Sequence, residues 1–206
     1  MSKVRLEAFS DGVLAVAITL LVLNLQVPPT QGSEGHAPSL GSELLKMWPQ
    51  YAAFVTSFMT IGIIWINHHA MISRLREVDH TILILNLFLL MSISALPFAT
   101  NLMAAYLKGS QGEHLAAAVY SGAFLLMSIC FSVLNRHILL LKVHLLQDAP
   151  SEQWRRTAFR RSRLGLLPYL LATVLAAVSP YVTLAICGAL AVFYALPFAS
   201  GTGLEG

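Results

Sequence analysis

The stretch HTILILNLFLLMSISALPFATNLMAAYL, residues 80–107, contains no Asp, Glu, Lys or Arg. An α-helix rises about 1.5 Å per residue, so about 20 apolar residues cross a hydrocarbon core that is roughly 30 Å thick. Over all 206 residues, 56% of the side chains are hydrophobic and only 11% are charged, whereas soluble domains carry about 25% charged residues. This composition argues against a soluble, fibrous or disordered chain and predicts a polytopic membrane protein.

Other charge-free windows extend the same pattern along the chain. The last of them, residues 164–204, is interrupted by Ser179-Pro180, where proline removes a backbone donor and disfavours helix just before it. We therefore predict an all-α fold, a bundle of six transmembrane helices in a single domain over residues 1–200, with residues 201–206 as a tail or a non-native remnant. The predicted spans cover residues 8–27, 48–71, 79–107, 115–141, 164–178 and 181–198.

Positive charge is distributed unevenly between the two sides of this predicted bundle. Eleven basic residues fall on one side and only Lys46 and Lys108 on the other, so the positive-inside rule predicts that both termini are cytoplasmic. The basic run over residues 155–163 is interpreted as a juxtamembrane anchor to anionic membrane lipids rather than as a nucleic-acid site. The eleven are Lys3, Arg5, Arg74, Arg76, Arg136, Lys142, Arg155, Arg156, Arg160, Arg161 and Arg163.

Polar side chains cluster near the cytoplasmic ends of the first three predicted spans. Asp11 lies in the first span, His68 in the second, and Asp79 and Asn86 in the third. An ionisable group inside a bilayer costs several kcal/mol, so each of them requires an explanation. We expect a polar network that joins the three helices, with Arg5 as the counter-ion of Asp11.

A metal centre formed by His68, His69 and His80 with Asp11 and Asp79 is an alternative interpretation, since imidazole and carboxylate are competent ligands. However, His68 and His69 are adjacent and therefore point about 100° apart on a helix, and no HExxH spacing occurs. A Ser-His-Asp hydrolase would need a GxSxG-type nucleophile elbow, which the sequence lacks. The sequence therefore predicts no enzyme, no metal site and no cofactor.

The first span carries a stripe of Val16, Thr19, Leu20 and Leu23 at helical spacing, with one hydroxyl among apolar side chains. Periodicity alone favours an ordinary buried helix within a bundle. The chain contains no TVGYG-like segment, so a carbonyl-lined potassium filter on a re-entrant pore loop is not expected.

The segment Arg5-Leu-Glu-Ala-Phe9-Ser10-Asp11-Gly12 matches the RxxxFSDG signature at the start of the first helix in the transmembrane protein 175 family of potassium channels. One six-helix repeat, as predicted here, resembles the prokaryotic members of that family, which assemble as tetramers. Further similar segments are Val13–Leu25, Trp65-Ile66-Asn67-His68-His69, Asp79, Asn86-Leu87 and Leu96-Pro97-Phe98.

The resemblance implies a non-voltage-gated, potassium-permeable channel in a prokaryotic plasma membrane. It implies a homotetramer whose pore is lined by the first helix of each subunit, with potassium as the permeant ion. By position after the motif, Val16 falls at the hydrophobic constriction that serves as gate and selectivity element, followed toward the outside by Thr19, Leu20 and Leu23. Valine is shorter than the Ile or Leu associated with this position, so selectivity over sodium is expected to be modest.

The remaining motif residues are implied to have a structural role. The structural polar network implied by the resemblance comprises Arg5, Phe9, Ser10, Asp11, Trp65, His68, Asp79 and Asn86.

A secondary transporter is the alternative function. It would need coupling-ion sites near the membrane midplane, whereas the ionisable residues lie near the cytoplasmic edge of the predicted spans.

Overall fold

The computed structural model of the chain describes residues 2–28, 39–108, 111–148 and 150–196. All regular secondary structure in the described part is helical, apart from one isolated bridge between Leu75 and Leu146. The end of the sixth predicted span and the tail over residues 201–206 lie outside it. The helices are α1 (Lys3–Leu20, continued by a 3-10 turn, Leu21–Asn24), α2 (Leu40–Lys46), α3 (Trp48–Ile72), α4 (His80–Ser94), α5 (Leu96–Tyr106), α6 (Glu113–Arg136, followed by a π-helical turn, His137–Leu141, and a 3-10 turn, Val143–Leu145), α7 (Glu152–Leu164), α8 (Leu166–Leu175) and α9 (Pro180–Ala195).

Four helical stretches are long and apolar enough to cross a membrane, namely Lys3–Asn24, Trp48–Ile72, His80–Tyr106 and Glu113–Leu141. They correspond to the first four predicted spans, although the first one begins at Lys3 instead of residue 8. The third stretch is interrupted at Ala95, between α4 and α5, where Pro97 in the first turn of α5 lacks a backbone N–H donor. The membrane-protein class predicted from composition thus agrees with the structure.

The C-terminal region differs in detail from the predicted fifth and sixth spans. Helix α8 has 10 residues and therefore rises only about 15 Å, while α9 has 16 residues. The predicted break at Ser179-Pro180 is confirmed, because the extended Ser179 caps α9 by accepting a hydrogen bond from the N–H of Val182. The count of six membrane crossings stays a prediction.

Several loops are joined at the end of the bundle where α1 begins and α3 ends. The ammonium group of Lys3 donates to the carbonyl of Ser73, and the N–H of Arg76 donates to the carbonyl of Leu145 at 2.7 Å. We call this the basic end, since it brings together loops that carry most of the cationic residues. At the opposite end, Lys108 donates to the carbonyl of Lys46.

Asp79 fixes the start of α4 at the basic end. Its Oδ1 accepts a hydrogen bond of 2.8 Å from the N–H of Ile82, and its Oδ2 lies 3.5 Å from Lys142 Nζ and 3.6 Å from His137 Nε2. Desolvation alone would raise the pKa of Asp79, but the Ile82 hydrogen bond and the two basic neighbours outweigh it and lower the pKa below its usual 3.8. Asp79 therefore ties α4 to the segment that follows α6.

Replacing Asp79 separates its capping role from its charge. Asp79→Asn keeps an N-cap acceptor but loses the charge, whereas Asp79→Ala loses both, so we expect Asp79→Ala to cost about 1 kcal/mol more stability. The measurement is thermal unfolding in detergent. Equal unfolding midpoints for the two variants would contradict the capping role of Asp79.

The stability that the charge of Asp79 contributes depends on pH. Because the pKa of Asp79 is lowered in the folded state, this stability is present above the pKa of the unfolded state and is lost as pH falls through the pKa of the folded state.

Candidate functional site

The side-chain amide of Asn86 joins three helices at one buried point. Its Nδ2 donates to Ser10 Oγ of α1 at 3.0 Å, and its Oδ1 lies 2.7 Å from His68 Nε2 of α3. An amide oxygen can only accept, so His68 is the donor there and its Nε2 carries the proton. All three side chains are buried. We call Ser10, His68 and Asn86 the three-helix junction.

A second contact between α1 and α3 lies on the protein surface beside the junction. The indole Nε1 of Trp65 donates to Asp11 Oδ1 at 2.8 Å, and the Trp65 ring lies 6.3 Å from the ring of His69. The carboxylate of Asp11 is therefore held by an indole N–H. Together with the junction, this contact fixes the rotation of α1 against α3.

The expectation of an ion pair between Arg5 and Asp11 is wrong. Arg5 is exposed, and no carboxylate among the described residues lies within ion-pair distance of it. The physical reason is helical geometry, because residues six positions apart point about 120° apart around a helix. Arg5 instead lies eleven residues before Val16 and shares its face.

Two other members of the expected network lie elsewhere. Asp79 contacts Lys142 and the start of α4, not the junction, because it stands outside α4 and seven residues before Asn86. Phe9 is 50% exposed and lies on the same face of α1 as Val16, seven residues later. The structure therefore brings together Ser10, His68 and Asn86, with Asp11 and Trp65 beside them.

The stripe on α1 faces outward from the protomer. Val16 is 57% exposed, Leu20 42% and Leu23 73%, and Thr19 is exposed as well. The other face of the helix is packed against α3 and α4, which is the side on which Ser10 meets the junction. The buried residues of that face are Leu6, Ser10, Leu14, Ala17 and Leu21.

The hydroxyl of Thr19 has a defined orientation. It donates to the carbonyl of Val16 at 2.9 Å, so its single proton is used within the helix. A hydroxyl oxygen retains acceptor capacity when it donates. Thr19 can therefore present lone pairs, but no proton, to a group that approaches the stripe.

The far end of α1 is held by contacts that the sequence analysis did not identify. Asn24 Nδ2 donates to the carbonyl of Pro97 at 2.9 Å, and the N–H of Gln26 donates to Gln50 Oε1 at 3.0 Å. The available signal was a polar residue, Asn24, at the end of a long apolar run, together with a proline that marks a helix break. Sequence alone does not show that these two features meet.

The side chains considered for a metal centre do not converge. His68 is hydrogen-bonded to Asn86, Asp11 to Trp65, and Asp79 lies beside Lys142. Within the part of the chain that the structure describes, no group of three or more His, Cys, Asp or Glu side chains is placed to hold a metal ion.

Removing the amide of Asn86 tests the junction. Asn86→Leu leaves Ser10 and His68 without their partner, and each unsatisfied buried group costs about 1–3 kcal/mol. We expect a lower unfolding temperature in detergent and a lower yield of assembled protein. Asn101→Leu, which removes an exposed amide on α5, is the matched control. Equal losses in the two variants would show that the junction has no special role.

Comparison with known proteins places the chain in a family. The profile described as "Endosomal/lysosomal potassium channel TMEM175" matches residues 5–97. A potassium channel from Streptomyces collinus is 44% identical over 193 residues, which span 92% of this chain and 90% of that protein.

More distant relatives and a solved structure agree with this assignment. The human endosomal/lysosomal proton channel TMEM175 is 31% identical over 172 residues, 82% of this chain and 34% of the human protein. A crystal structure of a lysosomal potassium-selective channel TMEM175 homologue from Chamaesiphon minutus has a TM-score of 0.81 and 38% identity, covering 94% of this chain and 96% of that one. The chain therefore belongs to the TMEM175 family, whose members are ion channels and not enzymes.

Proposed function

We propose that the chain is one subunit of a potassium-permeable cation channel, with a pore lined by the outward stripe of α1. The supporting observation is that the junction and the Asp11–Trp65 contact hold one face of α1 inward, while Val16 and its stripe neighbours stay exposed. Several relatives are named potassium channels, which favours potassium as the permeant ion.

The proposed pore requires several copies of the chain. One protomer presents a single helix face, which cannot enclose an aqueous path, so the pore lies on the axis of a closed ring of subunits. We infer a homotetramer, in which four copies of α1 surround the axis, as in the prokaryotic channels that the sequence resembles. The mass of the complex in native-like lipid should be that of four chains, and a monomer would contradict the proposal.

The chemistry of the stripe suits modest selectivity for potassium over sodium. A ring of Val16 side chains forms a hydrophobic constriction and gate, where an ion must shed water, and potassium holds its water less strongly than sodium does. Because Thr19 donates its proton to the Val16 carbonyl, the lone pairs of four Thr19 oxygens can coordinate the cation as it loses water. Leu20 and Leu23 continue the pore beyond Thr19.

The polar residues around the junction then have a positioning role. Ser10, His68 and Asn86 are buried within the protomer, with Ser10 about 120° around α1 from Val16, and Asp11 is engaged by Trp65. They set the rotation of α1 and do not contact the ion. Permeation of this kind needs no cofactor.

The placement in the membrane follows from the distribution of charge. The basic end faces the cytoplasm, because positively charged loops are retained on that side. With six crossings in one channel domain over residues 1–200, both termini are cytoplasmic. The bacterial relatives favour the plasma membrane of a prokaryote as the location.

Alanine substitutions at Val16 and Ile18 test the position of the pore. Val16→Ala widens the proposed constriction, so we expect a higher conductance and weaker selectivity. Ile18 lies about 200° around the helix from Val16 and packs against the core, so Ile18→Ala should cost only packing energy, about 1 kcal/mol for each deleted methylene. The measurement is the reversal potential in planar bilayers with asymmetric potassium and sodium.

The reversal potentials of the two variants can also contradict the proposed pore. Equal shifts in reversal potential for Val16→Ala and Ile18→Ala would mean that the pore does not follow the stripe. Solute-coupled flux without ohmic current would instead indicate a transporter.

A further inference from the structure

A half-open cavity of about 440 Å³ lies in the protomer between α3 and α6. Its volume is within the range of about 300–1,000 Å³ that is typical of small-molecule sites. Helices α3 and α6 form its walls, α7 covers it at the basic end, and α8 and α9 contribute its inner part. The inner end, at Thr60, Met127 and Tyr169, is buried, and the mouth, at Arg74 and Trp154, is exposed.

The cavity is mainly apolar along its length. The aliphatic side chains of Ile63 and Ile64 face it from α3, and Met127, Phe131 and Leu139 face it from the opposite wall. These positions belong to two of the four helical stretches that are long and apolar enough to cross a membrane, Trp48–Ile72 and Glu113–Leu141. A ligand with an extended apolar part therefore fits these walls better than a polar metabolite does.

Arg74 is the charged residue at the mouth. It is the single charged side chain among the described residues that line the cavity. Its guanidinium lies 4.5 Å from the centre of the Trp154 ring. No described carboxylate forms an ion pair with it.

The guanidinium carbon of Arg74 lies over the Trp154 ring in a cation–π contact. Among the described residues, no group accepts a hydrogen bond from the Arg74 guanidinium, so the planar fork of N–H donors remains available. Such a fork matches the paired oxygens of a carboxylate or a phosphate. The mouth of the cavity is therefore complementary to an anionic head group.

We propose that this cavity binds an anionic amphiphile, with its acid group at Arg74 and its hydrocarbon chain between α3 and α6. The shared chemistry is that of a free fatty acid or of one chain of an anionic phospholipid. The bound molecule contacts the face of α3 that carries Asn67, and the next residue, His68, belongs to the three-helix junction. Occupancy thus bears on the helix that positions α1.

Binding can be measured on the purified, assembled protein by native mass spectrometry in an uncharged detergent, without any current. The probes are oleate, dioleoyl-phosphatidylglycerol and, as the uncharged analogue, oleyl alcohol. We expect one anionic amphiphile to bind per protomer. Because a hydrogen bond to a charged group contributes about 1.5–3 kcal/mol, Arg74→Gln should weaken binding about tenfold or more.

Two controls match the two parts of the site. Arg76→Gln removes a nearby exposed cation that pairs with Glu77 at 3.7 Å and does not line the cavity, so it should leave binding unchanged. Ala158→Leu fills the cavity from α7 and should weaken binding, which keeps a test available if Arg74→Gln fails to fold. Ala195→Leu enlarges an exposed alanine on α9 and should leave binding unchanged.

Each outcome decides the proposal. Binding of oleate alone identifies a free fatty acid as the ligand, and binding of phosphatidylglycerol alone identifies a membrane phospholipid. Either result supports the site. The proposal is overturned if neither anionic probe binds, if oleyl alcohol binds as tightly as oleate, or if Arg74→Gln weakens binding no more than Arg76→Gln. Because no ion flux is measured, these results are independent of the proposed channel activity.

Discussion

In an apolar helix bundle surrounded by lipid, the side-chain amide of Asn86 can find hydrogen-bond partners only within the protein. An unpaired amide in such surroundings costs several kcal/mol, whereas here it donates to Ser10 and accepts from His68. These two bonds come from two different helices. The register and rotation of α1, α3 and α4 are thereby fixed together, since a shift of any one helix would break a buried hydrogen bond.

Packing alone would determine the rotation of α1 less strictly. Lipid tails are as apolar as leucine, so helix association in a membrane gains little from hydrophobic burial, and polar contacts carry more of the specificity. Helix α1 is apolar nearly all round, and both its buried residue Leu14 and its exposed residue Leu23 are leucines. The junction, the Asp11–Trp65 contact and the Asn24–Pro97 bond together determine which of these faces is directed outward.

Much of the fold could be predicted because span length is a local property. Charge-free windows located the first four long helices to within a few residues, and proline located the break at Ser179-Pro180. The partners of side chains were harder to predict. Asp11 was assigned to the nearest cation, Arg5, although the helical period places the two on different faces.

Long-range contacts were the part that the sequence could not supply. The bond from Asn24 to Pro97 joins residues 73 positions apart, and Gly165, which separates α7 from α8, gave no signal that distinguished it from the other glycines. The cavity beneath α7 likewise depends on how five helices meet. The family motif indicated which residues matter near the start of α1, but only the structure separates Ser10, on the junction face, from Phe9, on the stripe face.

We propose that α1 presents its stripe to the ion pathway and its junction face to the protein. The most direct measurement is the effect of a charged, thiol-reactive methanethiosulfonate reagent on potassium current through channels with a single added cysteine in α1, with the unmodified chain and its two cysteines, Cys130 and Cys187, as the baseline. We expect block that persists after the reagent is washed out for Thr19→Cys and Leu23→Cys, and no change for Ala17→Cys and Leu21→Cys, whose side chains are buried. Block at Ala17→Cys or Leu21→Cys with none at the stripe positions would contradict it.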